Sequence, residues 1–178
     1  MTRPIVGPRL GPALVALAVA LDCSGCGYRV KGSVRPIPGG IESLGIPTFR
    51  NLTQQYRLEQ LVSRAVLKEF AVRTRTPVSS RASGVDAVLV GEIRGMSATP
   101  VTFGSDTFGS VFLVTVQLAV KLVRTQDGTV LWENADYLFR ERYELNRNVV
   151  EFFSEENPAL ERLAREFASS LASTVLNR

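Results

Sequence analysis

The sequence predicts an α+β fold in which two helices pack on one face of a four-stranded, mostly antiparallel sheet, a β-α-β-β-β-α sandwich. Three observations predict it. Phe112 to Arg124 alternates Val114, Val116, Leu118, Val120 and Leu122 with Thr115, Gln117, Ala119 and Lys121, giving one dry face and one wetter face. Thr125-Gln126-Asp127-Gly128 then turns the chain, because Asp-Gly tolerates the positive φ that hairpins need. Two segments, 55–73 and 155–176, each carry a single apolar stripe at helical spacing. Elements with one apolar face must cover one another, and helices over one sheet face satisfy that need.

The chain begins with Arg3 and Arg9, followed by an unbroken apolar run from Ala13 to Leu21. A helix through that run covers only about 15–18 Å, whereas a bilayer core is about 30 Å thick. Residues 1–25 therefore read as an export signal. Ser24-Gly25-Cys26 places small residues directly before a cysteine and resembles the cleavage box of bacterial lipoproteins. In that class the thiol is acylated, as with palmitate, and becomes the mature N-terminus, so Cys26 is the expected lipidation site. Cys23 stands where that box usually has an aliphatic residue. The alternative is an ordinary secretory signal with both thiols incidental.

Residues 26–40 carry four glycines and two prolines and read as a lipidated N-terminus and linker. Residues 41–178 form the single domain. Ile41 to Phe49 is a strand confined to an edge, or ended, by Pro47. Asn51 and Thr53 are candidate caps for a helix from about Gln55 to Arg73. Its apolar face is Leu58, Leu61, Val62, Ala65, Val66 and Phe70, with Ser63 and Lys68 on the surface. Ala87 to Ile93 is the next strand, and Gly95 to Gly109 reads as two frayed strand ends around a tip near Gly104-Ser105-Asp106. The return strand runs from Thr129 to about Tyr143, with Trp132 expected in the core. The last helix, about Glu155 to Leu176, has Ser154 as cap and Leu160, Leu163, Ala164, Phe167, Leu171 and Val175 as its stripe.

Bulk chemistry excludes several functions. Removing residues 1–25 from the 178 leaves 153, enough for one core. The net charge of +4 falls to +3 when Arg3, Arg9 and Asp22 leave with the signal, which gives no nucleic-acid footprint. There is no histidine, and no cysteine beyond Cys23 and Cys26. A triad, a thiol nucleophile or a zinc cluster thus has no residues to be built from. The Gly104 to Gly109 stretch lacks a phosphate-cradle pattern and its lysine. The residues describe a membrane-tethered binding module without cofactor, not an enzyme.

Several pieces together resemble the LPS-assembly lipoprotein family, LptE. They are Gly25-Cys26-Gly27-Tyr28 with Arg29-Val30-Lys31-Gly32, Ile46-Pro47-Thr48-Phe49-Arg50-Asn51-Leu52-Thr53, Asp86 to Ile93, and Asp127-Gly128-Thr129-Val130-Leu131-Trp132-Glu133. The resemblance implies a lipoprotein of the cell outer membrane, held at its periplasmic face by the N-terminal lipid. It also implies that this protein plugs and supports an LptD-like outer-membrane β-barrel in lipopolysaccharide transport to the surface. Gly27 is not the Asp that marks inner-membrane retention in enteric bacteria. The family places basic lipid contacts at the hairpin tip and near the sheet's end. Phe103-Gly104-Ser105-Asp106 has no base, so Arg140, Arg142 and Arg147 are the candidate lipopolysaccharide contacts. The rival reading is a periplasmic lipoprotein adaptor of the curli-secretion or penicillin-binding-protein-activator type.

Overall fold

The computed structural model describes residues 35–103, 109–144 and 158–177. Cys26, the hairpin tip 104–106, Arg147 and the start of the last predicted helix, 154–157, lie outside the described residues. The described elements are β1 (Leu44–Gly45), β2 (Arg50–Asn51), α1 (Leu58–Arg73), β3 (Val78–Ser79), β4 (Ala87–Phe103), β5 (Gly109–Arg124), β6 (Val130–Glu144) and α2 (Pro158–Leu176). The fold is α+β with two helices, as the sequence predicts, but the sheet is mixed and has six strands. β4, β5 and β6 form an antiparallel meander. β1 and β2 pair parallel with β4, and β3 pairs parallel with β1.

The extra strands have two residues each, too short to show a period of two in sequence. Pro47, which has no N–H to donate, lies in the gap that separates β1 from β2. The stretch from Gly95 to Gly109 is paired ladder up to Phe103 and again from Gly109, not frayed ends. Register shifts at Ile93/Gly95, Pro100/Thr102 and Thr102/Phe103 absorb its glycine and proline. Asp127 and Gly128 do make the next turn: Gly128 has φ 72°, and the Thr129 N–H donates to the Asp127 carboxylate.

Helix α1 begins at Leu58, later than predicted, and its N-cap is Arg57 at φ 54°, with no side-chain cap. Asn51 and Thr53, expected as caps, build the turn before it instead. The Asn51 carbonyl accepts from the Thr53 N–H and hydroxyl, while its amide donates to the Gln55 carbonyl and to Glu59. Ser63 is not a surface residue. It is 6% exposed, accepts from the Phe49 N–H at 2.8 Å and donates to the Glu59 carbonyl. A small hydroxyl there supplies the partner that a buried amide requires.

Both helices cover the same sheet face. Phe70 and Phe167 are buried with Val116, Leu118 and Val120, and Trp132 joins the same cluster. The Phe167 ring meets Tyr137 and Phe139 edge-on, each at 5.8 Å between centroids. Arg73 ties the helices together: it pairs with Glu69 at 2.6 Å and donates to the hydroxyls of Ser169 and Ser173 at 2.7 Å each. Packing also reaches back before residue 41, since Ile37 is buried and Arg35 bridges Thr74.

Two substitutions test this packing. Phe167→Ala should cost about 3–5 kcal/mol in urea unfolding. Gly91→Ala should also destabilise, by about 1–3 kcal/mol, because its Cβ would lie 2.4 Å from the Phe49 ring. Wild-type stability in both variants would contradict the core described.

Candidate functional site

A sheet with helices on one side leaves its other face to solvent, and the ladder registers specify what that face displays. Toward the β4–β5 hairpin the cross-strand rows are Gly95–Gln117–Leu138, Ser97–Thr115–Arg140 and Thr99–Leu113–Arg142. Alternation along β6 turns Tyr137, Phe139 and Tyr143 into the core and leaves Leu138, Arg140 and Arg142 exposed on the open face. Residues two apart on a strand are about 6.6 Å apart, so the two guanidinium groups stand in line. Neither the Arg140 nor the Arg142 side chain has a hydrogen bond or ion pair among the described residues. Arg147 is outside those residues, so its place beside them is not defined.

The other end of the open face is charged but internally compensated. A concavity of about 270 Å³ is lined by Arg50, Glu92, Arg94, Lys121 and Glu133, with Val90 and Ala119 at its floor. Glu92 pairs with Arg50 at 3.5 Å and with Arg94 at 3.2 Å, and Arg94 also donates to the Ala135 carbonyl at 2.9 Å. Of its cations, Arg50 and Arg94 are thus committed to protein partners. Arg140 and Arg142 are not. A guanidinium offers a planar fork of donors that fits phosphate or carboxylate, so the arginine pair is the candidate anion site of the face. Leu113 and Leu138 beside it supply apolar surface, which suits an amphipathic anion.

Nothing in the described residues adds a catalytic or metal centre to this picture. No group of three His, Cys, Asp or Glu is placed to hold an ion among them. No described helix is long and apolar enough to cross a membrane. Sequence reasoning named the arginines but missed what separates them from the rest of the face. The signal was available in part: Arg140 and Arg142 share a parity, and Glu92 and Arg94 share another strand.

These features define a class first: an α+β sandwich with two helices on one face of a mixed sheet. The comparisons with known proteins agree with that class. The fold is shared with the PelC dodecamer from Paraburkholderia phytofirmans, at 13% identity over 82% of this chain and 95% of that one, TM-score 0.51. A protein from Xanthomonas campestris shares it at 14% identity over 81% and 91%, TM-score 0.51. An uncharacterized lipoprotein B from Nitrosomonas europaea, solved by NMR, does so at 12% identity over 84% and 90%, TM-score 0.50. No curated protein matches the sequence. The chain belongs to the LptE family of lipopolysaccharide assembly, whose model matches residues 41–175.

The strand that carries the arginines is held to α2 from its opposite face. The Tyr143 hydroxyl donates to Glu166, and the Arg162 guanidinium lies 5.9 Å from the Tyr143 ring centre. Burial, then the Glu166 hydrogen bond and charge, push the phenol well above its ordinary pKa. The folded state therefore holds this proton more tightly than the unfolded chain does. Its contribution is complete below about pH 10, the ordinary phenol value, and fades as pH rises beyond it. The stability gap between wild type and Tyr143→Phe should accordingly shrink as pH passes through about 10. A gap constant up to about pH 11 would contradict the Tyr143–Glu166 link.

Proposed function

We propose that this chain is a non-enzymatic outer-membrane lipoprotein, anchored at the periplasmic face through acylated Cys26, that plugs and supports an LptD-like β-barrel during lipopolysaccharide assembly. Residues 1–25 are its signal peptide, 26–40 its lipidated lead-in, and 41–178 its working domain. The observation that carries the reading is the family match over residues 41–175, joined to an exposed arginine pair on the open sheet face whose side chains have no partner among the described residues. Lipid A phosphates and acidic core sugars are anions on an amphipathic body. Arg140 and Arg142 bind the anions, Arg147 is a third candidate contact, and Leu113 and Leu138 meet the apolar part. Several acyl chains on Cys26, at about 0.8 kcal/mol per buried CH₂, make a stable anchor that one chain alone does not.

Titration of the protein with lipopolysaccharide at two salt concentrations tests the lipid part. Binding should weaken as the Debye length falls from about 10 Å at 0.1 M to about 3 Å at 1 M. The variant with alanine at 140, 142 and 147 should bind at least tenfold more weakly at low salt, about 1.4 kcal/mol. Unchanged binding by that variant would remove the arginines from the site. Absence of both lipopolysaccharide binding and co-purification with an outer-membrane barrel would defeat the whole reading. The anchor has its own check. Mass spectrometry should find an acylated cysteine at position 26 as the mature N-terminus, and Cys26→Ala should abolish it.

A further inference from the structure

Edge strands present unpaired N–H and C=O groups to any extended chain, and natural sheets protect them with short length, proline, bulges or inward charges. The described edges of this sheet are protected unequally. β3 is two residues long. Beyond its pairing with Asn51, β4 is an edge too, but that stretch contains Pro100 and three register shifts. β6 pairs only with β5 among the described residues. Its first half is broken by register shifts at Leu122/Val123 and Leu118/Val120. From Tyr137 to Glu144, by contrast, it pairs residue for residue with Leu118 back to Val111. That run has no proline and no glycine. Leu138 within it is 43% exposed.

We propose that the outer edge of β6, over Tyr137–Glu144, receives an added strand from another polypeptide that carries carboxylates on the side facing Arg140 and Arg142. The length suits it: eight residues at about 3.3 Å give a ladder of about 26 Å. The charge chooses the partner. Side chains of an added strand stand about 4.5–5.5 Å from their opposite numbers, and Arg140 and Arg142 are exposed there without an ion pair among the described residues.

A second copy of this chain fits less well. Antiparallel pairing about a two-fold axis keeps both open faces on one side, so residues of equal parity oppose one another. The two registers that use most of Tyr137–Glu144 then fail on charge. One sets Arg140 against itself. The other sets Arg140 against Arg142 and Glu141 against itself. Like charges directly opposite destabilise a ladder, so an acidic extended segment is the better occupant.

This inference goes beyond the lipid reading, which uses guanidinium side chains and no edge amide. A strand and a lipid phosphate compete for the same two arginines but differ in their need for the backbone. The probe is a synthetic octapeptide of alternating Glu and Val, offered to the mature protein in detergent while hydrogen exchange along β6 is followed. Two further peptides carry N-methyl groups on all Glu amides or on all Val amides, which removes the donors of one edge and keeps every charge. The parent peptide should slow exchange across 137–144. One methylated peptide should match it, and the other should bind at least tenfold more weakly. The Arg140→Glu/Arg142→Glu variant should bind the parent about tenfold more weakly and prefer a Lys-Val peptide, since its cross-strand charges are reversed. Equal binding by both methylated peptides would reduce the contact to charge alone and overturn strand addition. So would absence of protection by any peptide. Protection that grows with protein concentration and needs no peptide would assign the edge to a second copy. Lipopolysaccharide binding measured on the same samples separates the two readings: retained lipid binding with no strand addition defeats the edge proposal alone.

Discussion

One constraint governs this molecule: the dry face of β5 has to be covered along its length. Phe112, Val114, Val116, Leu118, Val120 and Leu122 are all at most 4% exposed. At roughly 25 cal/mol per Å² of apolar surface, such a row is a large share of the folding free energy, and two helices supply the cover. Because both helices lie on that one side, the opposite face of the sheet stays open. Alternation then dictates that Arg140 and Arg142 point outward whenever Phe139 and Tyr143 point inward. The open face is a by-product of the core's geometry.

The helices are also linked to each other and to the sheet. Arg73 reaches from α1 to two serines of α2, and Tyr143 reaches from β6 to Glu166 of α2. These partly buried polar links fix how α2 lies across the strands, which apolar contacts alone specify loosely. The strand behind the arginines is thereby tied to α2. The ion pairs around Glu92 engage Arg50 and Arg94, whereas the side chains of Arg140 and Arg142 have no partner among the described residues. Placement on a paired strand matters here, since a guanidinium fork gains its selectivity for phosphate or carboxylate from orientation.

The long elements were legible in the sequence because each repeats one period several times. The alternation of β5, the Asp-Gly turn and the stripes of both helices all reappear in the structure. The misses have physical causes. Two-residue strands are held by parallel pairing, β1 and β2 with β4 and β3 with β1, and leave no pattern of their own. Gly95 and Pro100 look like loop chemistry, yet bulges let a ladder pass through them. The start of α1 was misjudged because Asn51 and Thr53 carry capping side chains but spend them on the preceding turn. Ser63 looked like surface because its partner, the Phe49 amide, is distant in sequence. The arginines were named from position near the sheet's end, and their lack of partners could be seen only once the ladder was in place.

The central claim is that the open sheet face, and not the helix layer, is the working surface. A photo-crosslinking side chain placed at Thr115, in the row between Ser97 and Arg140, reports on that face inside a living cell envelope. The same side chain at Arg165, exposed on α2, reports on the helix layer. Capture of lipopolysaccharide at position 115 and not at 165 is the predicted result. Capture at 165 alone, or equally at both, would contradict the account.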